Sequence, residues 1–308
     1  MNNFTHKIYL LTEDDQKYQQ LLEQAQLPAL EITTNKSEAS ILLAAPPKAV
    51  GMLETFPKLE WIQSVYAGVD ALIPDLTSKS IELTNVKGIF GQLIAEYVLG
   101  FTIQHYRHFQ DYKANQEQQI WSPKPYSSLA DKRMLILGTG SIGSYLANSA
   151  HSLGLSVSGV NSRGIPVKNA KFDAIYHIQE LPAALQEADI VVNTLPDTPT
   201  TQKLLNYQTL AHCHNVLLFN VGRGSAIDEQ ALLDAIQHQQ VEHAFLDVFE
   251  VEPLEKGHPF WHNSAITVTP HIAALSFPEQ VTDIFKDNYQ RWRDGFQLAN
   301  SVDIEKGY

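Results

Sequence analysis

Three residues in the second half of the chain carry side chains that could together reduce a carbonyl group. Arg223, Glu252 and His271 each follow a short apolar run that predicts a β-strand. In an open parallel sheet, the strand ends on one side border a single crevice, and ligands bind there. We therefore expect a guanidinium, a carboxylate and an imidazole to converge on one small volume. Such a set suits the reduction of a keto group that sits beside a carboxylate.

A glycine-rich turn between a predicted strand and a predicted helix indicates a dinucleotide cofactor. The turn has the pattern G-x-G-x-x-G and consists of Gly138, Thr139, Gly140, Ser141, Ile142 and Gly143. In this pattern the first glycine permits a tight turn, the second lets the backbone approach a pyrophosphate, and the third lets the helix pack close to the strand. The helix N-terminus supplies N–H groups and a positive dipole for the phosphates. Because strand and helix accompany the motif, we expect it to bind a dinucleotide.

The end of the next predicted strand indicates which dinucleotide is bound. NAD sites usually have an Asp or Glu about 20 residues beyond the glycine turn, where it holds the ribose 2′-hydroxyl. This chain has Asn161, Ser162 and Arg163 there, and residues 133–172 contain neither Asp nor Glu. Asn161 and Ser162 can hydrogen-bond a 2′-phosphate, and Arg163 can clamp it with its planar guanidinium. The sequence favours NADPH, with NAD as a weaker cofactor; in the alternative, Arg163 is a solvated loop residue and NAD binds.

Length and composition exclude several classes of protein. The chain has 308 residues, of which 44% are hydrophobic and 18% charged, enough for two domains with their own cores. Its net charge of −12 argues against a general nucleic-acid binder. No apolar run approaches the roughly 18 residues of a membrane span, and the first residues lack the pattern of a signal peptide. With Cys213 as its single cysteine, the chain forms no internal disulfide. We expect a cytoplasmic protein with neither nucleic acid nor membrane as partner.

Short apolar runs alternate with polar helical stretches along the chain, a pattern typical of α/β folds with parallel sheets. A predicted helix over residues 93–119 crosses from a first such unit to a second that begins at Arg133. A last helix, with a predicted capping box of Ser276 and Glu279, is expected to pack back on the first unit. The sequence thus predicts two doubly wound parallel-sheet domains. These are a discontinuous substrate-binding domain, residues 1–98 and 278–308, and a dinucleotide-binding domain, residues 99–277.

Taken together, the motifs resemble those of the D-2-hydroxyacid dehydrogenases. The matching segments occur in order along most of the chain: residues 66–70, 95–97, 138–143, 220–224, 246–254 and 269–273. Short chains with a non-acidic ribose position are most similar to the NADPH-dependent glyoxylate/hydroxypyruvate reductases of this family. The resemblance implies a flavodoxin-like substrate domain and a Rossmann dinucleotide-binding domain. It also implies a small 2-oxo acid as substrate and a homodimer as the assembly.

The resemblance assigns a role in catalysis to each of the three residues named first. Arg223 would grip the carboxylate and keto oxygens of the substrate, and His271 would donate a proton to the forming alkoxide. Glu252 would raise the pKa of His271 and orient its ring.

Other residues of the matching segments would bind substrate or cofactor. The backbone amides of Ala67, Gly68 and Val69 would bind the substrate carboxylate. Asp247 would hold the nicotinamide carboxamide, and Pro196 would line the cofactor.

Other interpretations remain open from the sequence. A nucleotide-sensing corepressor of the same fold would retain the binding motifs without turnover, and a related dehydrogenase could take a bulkier substrate. Trp121 and Tyr106 could line either the active site or a dimer interface. The run His212, Cys213 and His214 has no nearby carboxylate or second cysteine, so we expect no metal there.

Overall fold

The computed structural model of this chain describes residues 5–77 and 79–305, which form two compact units. The first unit consists of Met1–Ile89 and Ser276–Tyr308, and the second of Phe90–Leu275. Each unit is built on its own parallel sheet. Within the described ranges, no helix is both long and apolar enough to cross a membrane.

The sheet of the first unit has five parallel strands in the order β2-β1-β3-β4-β5. Its strands are β1 His6–Leu11, β2 Leu30–Ile32, β3 Ile41–Ala44, β4 Trp61–Ser64 and β5 Glu82–Thr84. The helices between them are α1 Asp15–Ala25, α2 Pro46–Ala49 and α3 Ile73–Leu76. The sequence pattern predicts strands over residues 8–11, 41–44, 61–65 and 81–84, and β1, β3, β4 and β5 confirm them within two residues. The pattern missed β2, because none of its three residues is fully buried and no apolar run marks it.

The sheet of the second unit has seven parallel strands in the order β12-β11-β10-β9-β6-β7-β8. Its strands are β6 Arg133–Leu137, β7 Ser156–Asn161, β8 Ala174–His177, β9 Ile190–Asn193, β10 Val216–Asn220, β11 Val241–Leu246 and β12 Ile266–Val268. Its helices are α4 Phe90–Tyr106, α5 Phe109–Glu117, α6 Ser141–Ser152, α7 Leu181–Gln186, α8 Tyr207–Leu210 and α9 Glu229–Gln237. The strand order reverses between β6 and β9, which confirms the predicted doubly wound sheet and places a crevice at that reversal.

Both faces of this second sheet are covered by apolar side chains. All five residues of β10 are buried. Val216 and Leu218 pack into the core on one face, and Leu217 and Phe219 pack into the core on the other. Burial on two faces explains why the central strands are continuous apolar runs and not alternating ones. It also makes their ends rigid supports for the residues that follow them.

The single helix predicted over residues 93–119 is two helices, so that prediction was wrong. The chain leaves α4 after Tyr106, and His108 adopts a left-handed backbone conformation with φ of +57° before α5 begins. The His108 ring lies 2.9 Å, Nε2 to O, from the carbonyl of Pro125. This tertiary contact, made with a distant residue, accompanies a break that local apolar periodicity does not reveal.

The last helix, α10 Pro278–Arg293, packs on the sheet of the first unit. The rings of Trp61 and Phe285 stack with a centroid distance of 5.2 Å and an interplanar angle of 3°. The predicted capping box is not formed, because Phe277 is the N-cap residue and makes no side-chain cap. The Glu279 carboxylate instead pairs with Lys17 of α1 at 2.7 Å, joining the two helices.

Candidate active site

All predicted site residues of the second unit lie at the carboxyl ends of its strands. The glycine turn follows β6, Asn161 ends β7, Pro196 follows β9, Arg223 follows β10, Asp247 follows β11 and His271 follows β12. Parallel strands end at the same edge of a sheet, so this arrangement collects residues distant in sequence on one side. The predicted turn of Ala67, Gly68 and Val69 belongs to the first unit, where it follows β4.

His271 and Glu252 form a hydrogen-bonded pair. Nδ1 of His271 lies 2.8 Å from Oε2 of Glu252, and the backbone N–H of Phe249 donates to the other carboxylate oxygen at 2.9 Å. The hydrogen bond to Glu252 raises the pKa of His271 above its ordinary value, although burial opposes the shift. Burial raises the pKa of Glu252, but the hydrogen bonds from His271 and Phe249 outweigh it and lower that pKa overall. The pair therefore favours the protonated form of the imidazole over the neutral form.

The backbone at His271 is strained and is held by Asp247. His271 has a φ of +55°, in the left-handed region of the backbone map. This conformation is energetically unfavourable for any residue other than glycine. Its N–H donates to the Asp247 carbonyl at 2.9 Å. Oδ1 of the buried Asp247 carboxylate accepts from the Ile272 N–H at 2.8 Å, and Oδ2 accepts from the Ala273 N–H at 2.9 Å. Asp247 thus fixes the segment that presents the imidazole.

Tyr97 and Thr269 extend this network, and sequence reasoning gave neither of them a role. The Thr269 hydroxyl donates to Oδ1 of Asp247 at 2.6 Å. Since that uses its only proton, the Tyr97 hydroxyl is the donor in the 2.7 Å contact between the two hydroxyls. Burial raises the pKa of Tyr97 to about 12, so the phenol keeps this proton. The pattern of residues 95–97 had marked the position without indicating its partner.

Arg223 lies on a turn that packs directly against the segment carrying Glu252. A Cβ on Gly224 would lie 1.8 Å from the carbonyl carbon of Phe249, so only glycine permits this approach. The buried side chain of Asn220 donates to the Arg223 carbonyl at 3.0 Å and accepts from the Gly222 N–H at 3.3 Å. The charge of Arg223 lowers the pKa of both Glu252 and His271, which places the guanidinium within electrostatic reach of the pair.

The glycine turn has the space that a dinucleotide requires. A Cβ on Gly143 would lie 2.0 Å from the Gly138 carbonyl oxygen, so the helix contacts the turn as closely as the motif predicts. A Cβ on Gly140 would meet no protein atom within 4 Å. Since α6 begins at Ser141, its N-terminus and dipole face this open space. Turn and helix thus fit a pyrophosphate.

The turn after β7, residues 161–165, is called the ribose turn below. It contains the three predicted phosphate ligands, which differ in their environment. The side chains of Ser162 and Arg163 are exposed and available to a ligand. The Asn161 side chain points into its own turn, where its oxygen accepts from the N–H groups of Arg163 and Gly164 at 2.9 and 2.7 Å. The structure therefore gives Asn161 a different environment from the one that the sequence suggested.

The turn of the first unit is also held by a buried amide. Nδ2 of Asn85 donates to the Ala67 carbonyl at 2.7 Å, and Asn85 is 4% exposed. The Ser64 hydroxyl accepts from the Tyr66 N–H at 2.9 Å at the start of the same turn. These bonds fix the backbone through which Ala67, Gly68 and Val69 are predicted to bind a carboxylate.

The remaining candidates for reactive groups are the single cysteine and possible metal ligands. Cys213 is buried, and burial raises the pKa of its thiol to about 12. Among residues 5–77 and 79–305, no group of three or more His, Cys, Asp or Glu side chains could hold a metal ion.

Comparisons with known proteins agree with the motifs of the sequence. Residues 99–273 match the family model described as the NAD binding domain of D-isomer specific 2-hydroxyacid dehydrogenases. Over 300 residues the chain is 31% identical to glyoxylate/hydroxypyruvate reductase A of Serratia proteamaculans, and the match covers 94% of each chain. The same enzyme of Yersinia enterocolitica is 31% identical over 277 residues, 87% of each chain.

Solved structures show the same fold over nearly the whole chain. A D-isomer specific 2-hydroxyacid dehydrogenase family protein of Aeromonas salmonicida is 40% identical, with a TM-score of 0.92 and coverage of 97% of this chain and 99% of that one. A D-isomer specific 2-hydroxyacid dehydrogenase of Xanthobacter autotrophicus, in complex with NADPH and MES, is 28% identical, with a TM-score of 0.89 and coverage of 99% and 100%.

Proposed function

The chain belongs to the D-isomer specific 2-hydroxyacid dehydrogenase family, and we propose that it reduces glyoxylate, hydroxypyruvate or a similar small 2-oxo acid with NADPH. The product is the D-2-hydroxy acid. The observation that carries the proposal is the hydrogen-bonded pair of His271 and Glu252 within electrostatic reach of Arg223. The relatives from Serratia and Yersinia are named for these two substrates, and the relative from Xanthobacter binds NADPH.

The proton for the product comes from His271. When bound, NADPH supplies the hydride that reduces the keto carbon. The raised pKa of His271 favours the protonated imidazole, in which Nδ1–H donates to Glu252 and Nε2–H remains for the substrate. Transfer of the Nε2 proton to the keto oxygen completes the alcohol and leaves a neutral imidazole. Glu252 stabilises the charged form before transfer and keeps the ring oriented after it.

Arg223 binds the acid group of the substrate and polarises its carbonyl. A guanidinium presents a planar fork of N–H donors that matches a carboxylate and cannot lose its proton at neutral pH. The Asn220 side chain and the close packing at Gly224 fix the backbone of the turn on which Arg223 lies, and Nη1 of Arg223 donates to the Gly222 carbonyl at 2.8 Å. The contribution of Ala67, Gly68 and Val69 stays a prediction from the sequence, as does the contact of Asp247 and Pro196 with the cofactor.

Gly138, Gly140, Ser141, Ile142 and Gly143 would hold the pyrophosphate, and Ser162 and Arg163 the 2′-phosphate. The exposed Arg163 guanidinium and the acid-free segment around it support NADPH over NADH, which would serve as the weaker cofactor. A carboxylate near the ribose would repel a phosphate, and residues 133–172 contain none.

The test is a rate comparison with purified protein and glyoxylate, in which NADPH and NADH oxidation are followed in parallel. We expect turnover with NADPH to exceed turnover with NADH. Arg163→Ala should raise the KM for NADPH by about 10- to 100-fold and leave the KM for NADH nearly unchanged. Lys168→Ala, which removes another exposed positive charge of the same segment, is the matched control. Absence of turnover with glyoxylate, hydroxypyruvate and larger 2-oxo acids would favour a nucleotide sensor of the same fold.

We further propose that the chain forms a homodimer through the segment around α5. Its large apolar side chains are exposed in the single chain: Phe109 is 51% exposed, Ile120 48%, Trp121 98% and Tyr126 62%. Trp121 and Ile120 line a cavity of about 540 Å³ with Tyr112. Exposed aromatic clusters of this kind mark interaction sites. The oligomeric state, measured by light scattering, should change from dimer to monomer in Trp121→Asp.

A cytoplasmic location stays a prediction from the sequence.

A further inference from the structure

Asn161 is the last residue of β7, and its side chain makes four hydrogen bonds within the second unit. Oδ1 accepts from the Arg163 N–H at 2.9 Å and from the Gly164 N–H at 2.7 Å. Nδ2 lies 3.0 Å from the Thr139 hydroxyl oxygen and 3.0 Å from the Ile165 carbonyl. The partners themselves fix the orientation of the amide, because backbone N–H groups can only donate and a carbonyl can only accept.

These four bonds use the whole hydrogen-bonding capacity of the amide. The nitrogen has two protons, and the oxygen has two lone pairs. A 2′-phosphate would have to displace Thr139 or Ile165 from Nδ2 before Asn161 could donate to it. The amide is therefore committed to the protein, and the side chains left to contact a phosphate at this turn are the exposed ones of Ser162 and Arg163.

The bonds to Arg163 and Gly164 set the path of the ribose turn. Gly164 has a φ of +63°, and a Cβ there would lie 3.1 Å from Cβ of His177 on the neighbouring strand β8. The turn is thus folded tightly against the sheet edge, with the Asn161 oxygen at its centre. Loss of that oxygen would leave two backbone N–H groups without partners and release the segment that carries Arg163.

The bond to Thr139 ties the ribose turn to the glycine turn. Thr139 stands between Gly138 and Gly140 and is 6% exposed. One side chain therefore joins the segment that would hold the pyrophosphate to the segment that would hold the 2′-phosphate. The ribose that joins these two groups limits the distance between them, so the spacing of their binding segments matters for affinity.

We propose that Asn161 is a positioning residue for cofactor specificity. It sets the spacing and shape of the ribose turn through Thr139, Arg163 and Gly164, and it selects NADPH without touching the 2′-phosphate. The inference rests on the proposed use of NADPH. It adds a residue that holds the segment carrying Arg163 in place for the 2′-phosphate.

The experiment measures binding of two cofactor fragments, adenosine 2′,5′-bisphosphate and 5′-AMP, by isothermal titration calorimetry, so turnover plays no part. The quantity compared is the ratio of their dissociation constants in the wild type, Asn161→Ala, Thr139→Val and the double variant. Asn161→Ala should reduce the preference for the bisphosphate by about tenfold. Thr139→Val should reduce this preference by a smaller factor. The double variant should lose no more of the preference than Asn161→Ala alone, because the two residues share one contact.

Several outcomes would overturn the inference. An unchanged ratio in Asn161→Ala shows that the side chain does not set specificity, and equal weakening of both fragments shows a general structural role. Additive effects in the double variant remove the coupling to Thr139. Arg163→Ala separates this inference from the proposed function. If the wild type shows no preference for the bisphosphate, the choice of NADPH fails and the inference fails with it. If Arg163→Ala loses the preference and Asn161→Ala keeps it, only the inference fails.

Discussion

The main chain of Asp247 accepts a hydrogen bond from the N–H of His271 at 2.9 Å, while its side chain accepts from the two residues that follow. One buried aspartate thus holds three successive backbone donors of a segment whose first residue has a φ of +55°. A strained backbone conformation persists only where surrounding contacts, such as these hydrogen bonds, stabilise it. The backbone conformation of His271, the proposed proton donor, therefore depends on the hydrogen bonds to Asp247.

Asp247→Asn should lower kcat for glyoxylate reduction by about 10- to 100-fold, because an amide can keep only part of the charge-assisted bonds to Ile272 and Ala273. The dissociation constant for NADPH, measured by fluorescence, should rise by a smaller factor than kcat falls, because the carboxamide is only one of several predicted cofactor contacts. Thr269→Val, which removes one donor to the same carboxylate, should show a smaller loss of kcat. Weaker NADPH binding with an unchanged kcat would instead assign Asp247 to the nicotinamide carboxamide.

Glu252→Gln should shift the pH dependence of reduction. The hydrogen bond to Glu252 raises the pKa of His271, and the proposed mechanism requires the protonated imidazole. Activity therefore falls as the pH rises through that raised pKa, and loss of the carboxylate charge should move this falling limb to lower pH. The measurement is kcat/KM against pH. The control is Glu250→Gln, which removes an exposed charge two residues away and should leave the pH of the falling limb unchanged. An unchanged falling limb in Glu252→Gln would contradict the role of Glu252 in raising the pKa of His271.

His271→Gln should reduce kcat by about 10²- to 10⁴-fold, the usual contribution of a general acid. Binding of NADPH should be unaffected, because the predicted cofactor ligands lie on other segments. The matched control is His262→Gln, which changes an exposed histidine nearby in sequence. Turnover close to that of the wild type would exclude His271 as the proton donor.

Arg223→Lys should lower kcat/KM for glyoxylate by about 10- to 100-fold, since lysine keeps the positive charge and loses the planar fork. Arg223→Ala should abolish reduction, with NADPH binding retained. Added guanidinium ion should restore part of the activity of Arg223→Ala and none of the activity of His271→Gln. Equal rates for Arg223→Lys and the wild type would show that charge alone suffices.

Gly224→Ala should destabilise the second unit, because its Cβ would lie 1.8 Å from the Phe249 carbonyl carbon. We expect a loss of about 1–3 kcal/mol or more in the free energy of unfolding, measured by denaturant titration. Gly140→Ala is the control for backbone effects, because its Cβ would meet no protein atom within 4 Å. That variant should keep its stability and bind NADPH more weakly. Equal stability of the two variants would contradict the packing argument.

Sequence patterns predicted the parts of this fold in which local chemistry and tertiary structure agree. The central strands are buried on both faces and appear as apolar runs, so the residues that follow them could be placed at one sheet edge. The strands β2 and β8 were missed because none of their residues is fully buried, so no buried apolar run marks them. The break at His108 accompanies a contact with Pro125, and no local pattern records such a contact.

The site was predictable in its residue types and less so in its contacts. The order and identity of Arg223, Glu252 and His271 suggested their grouping on one side of the sheet. The inward orientation of Asn161 and the bonds of Asp247 to residues 272 and 273 were not predictable, because both depend on where neighbouring backbone N–H groups point. Sequence reveals which side chains are present, whereas the partners of an amide or carboxylate are decided by the folded backbone.

The strands of the second sheet begin at the end of the sheet opposite to the predicted site residues. The connections there include residues 153–155 before β7 and 238–240 before β11, and no predicted site residue lies in them. Residues 238 and 239 are exposed. A fluorophore or a short affinity tag inserted at this end would be separated from the reacting groups by the length of the strands. The fold therefore offers an attachment point for immobilising or labelling the enzyme with its chemistry intact.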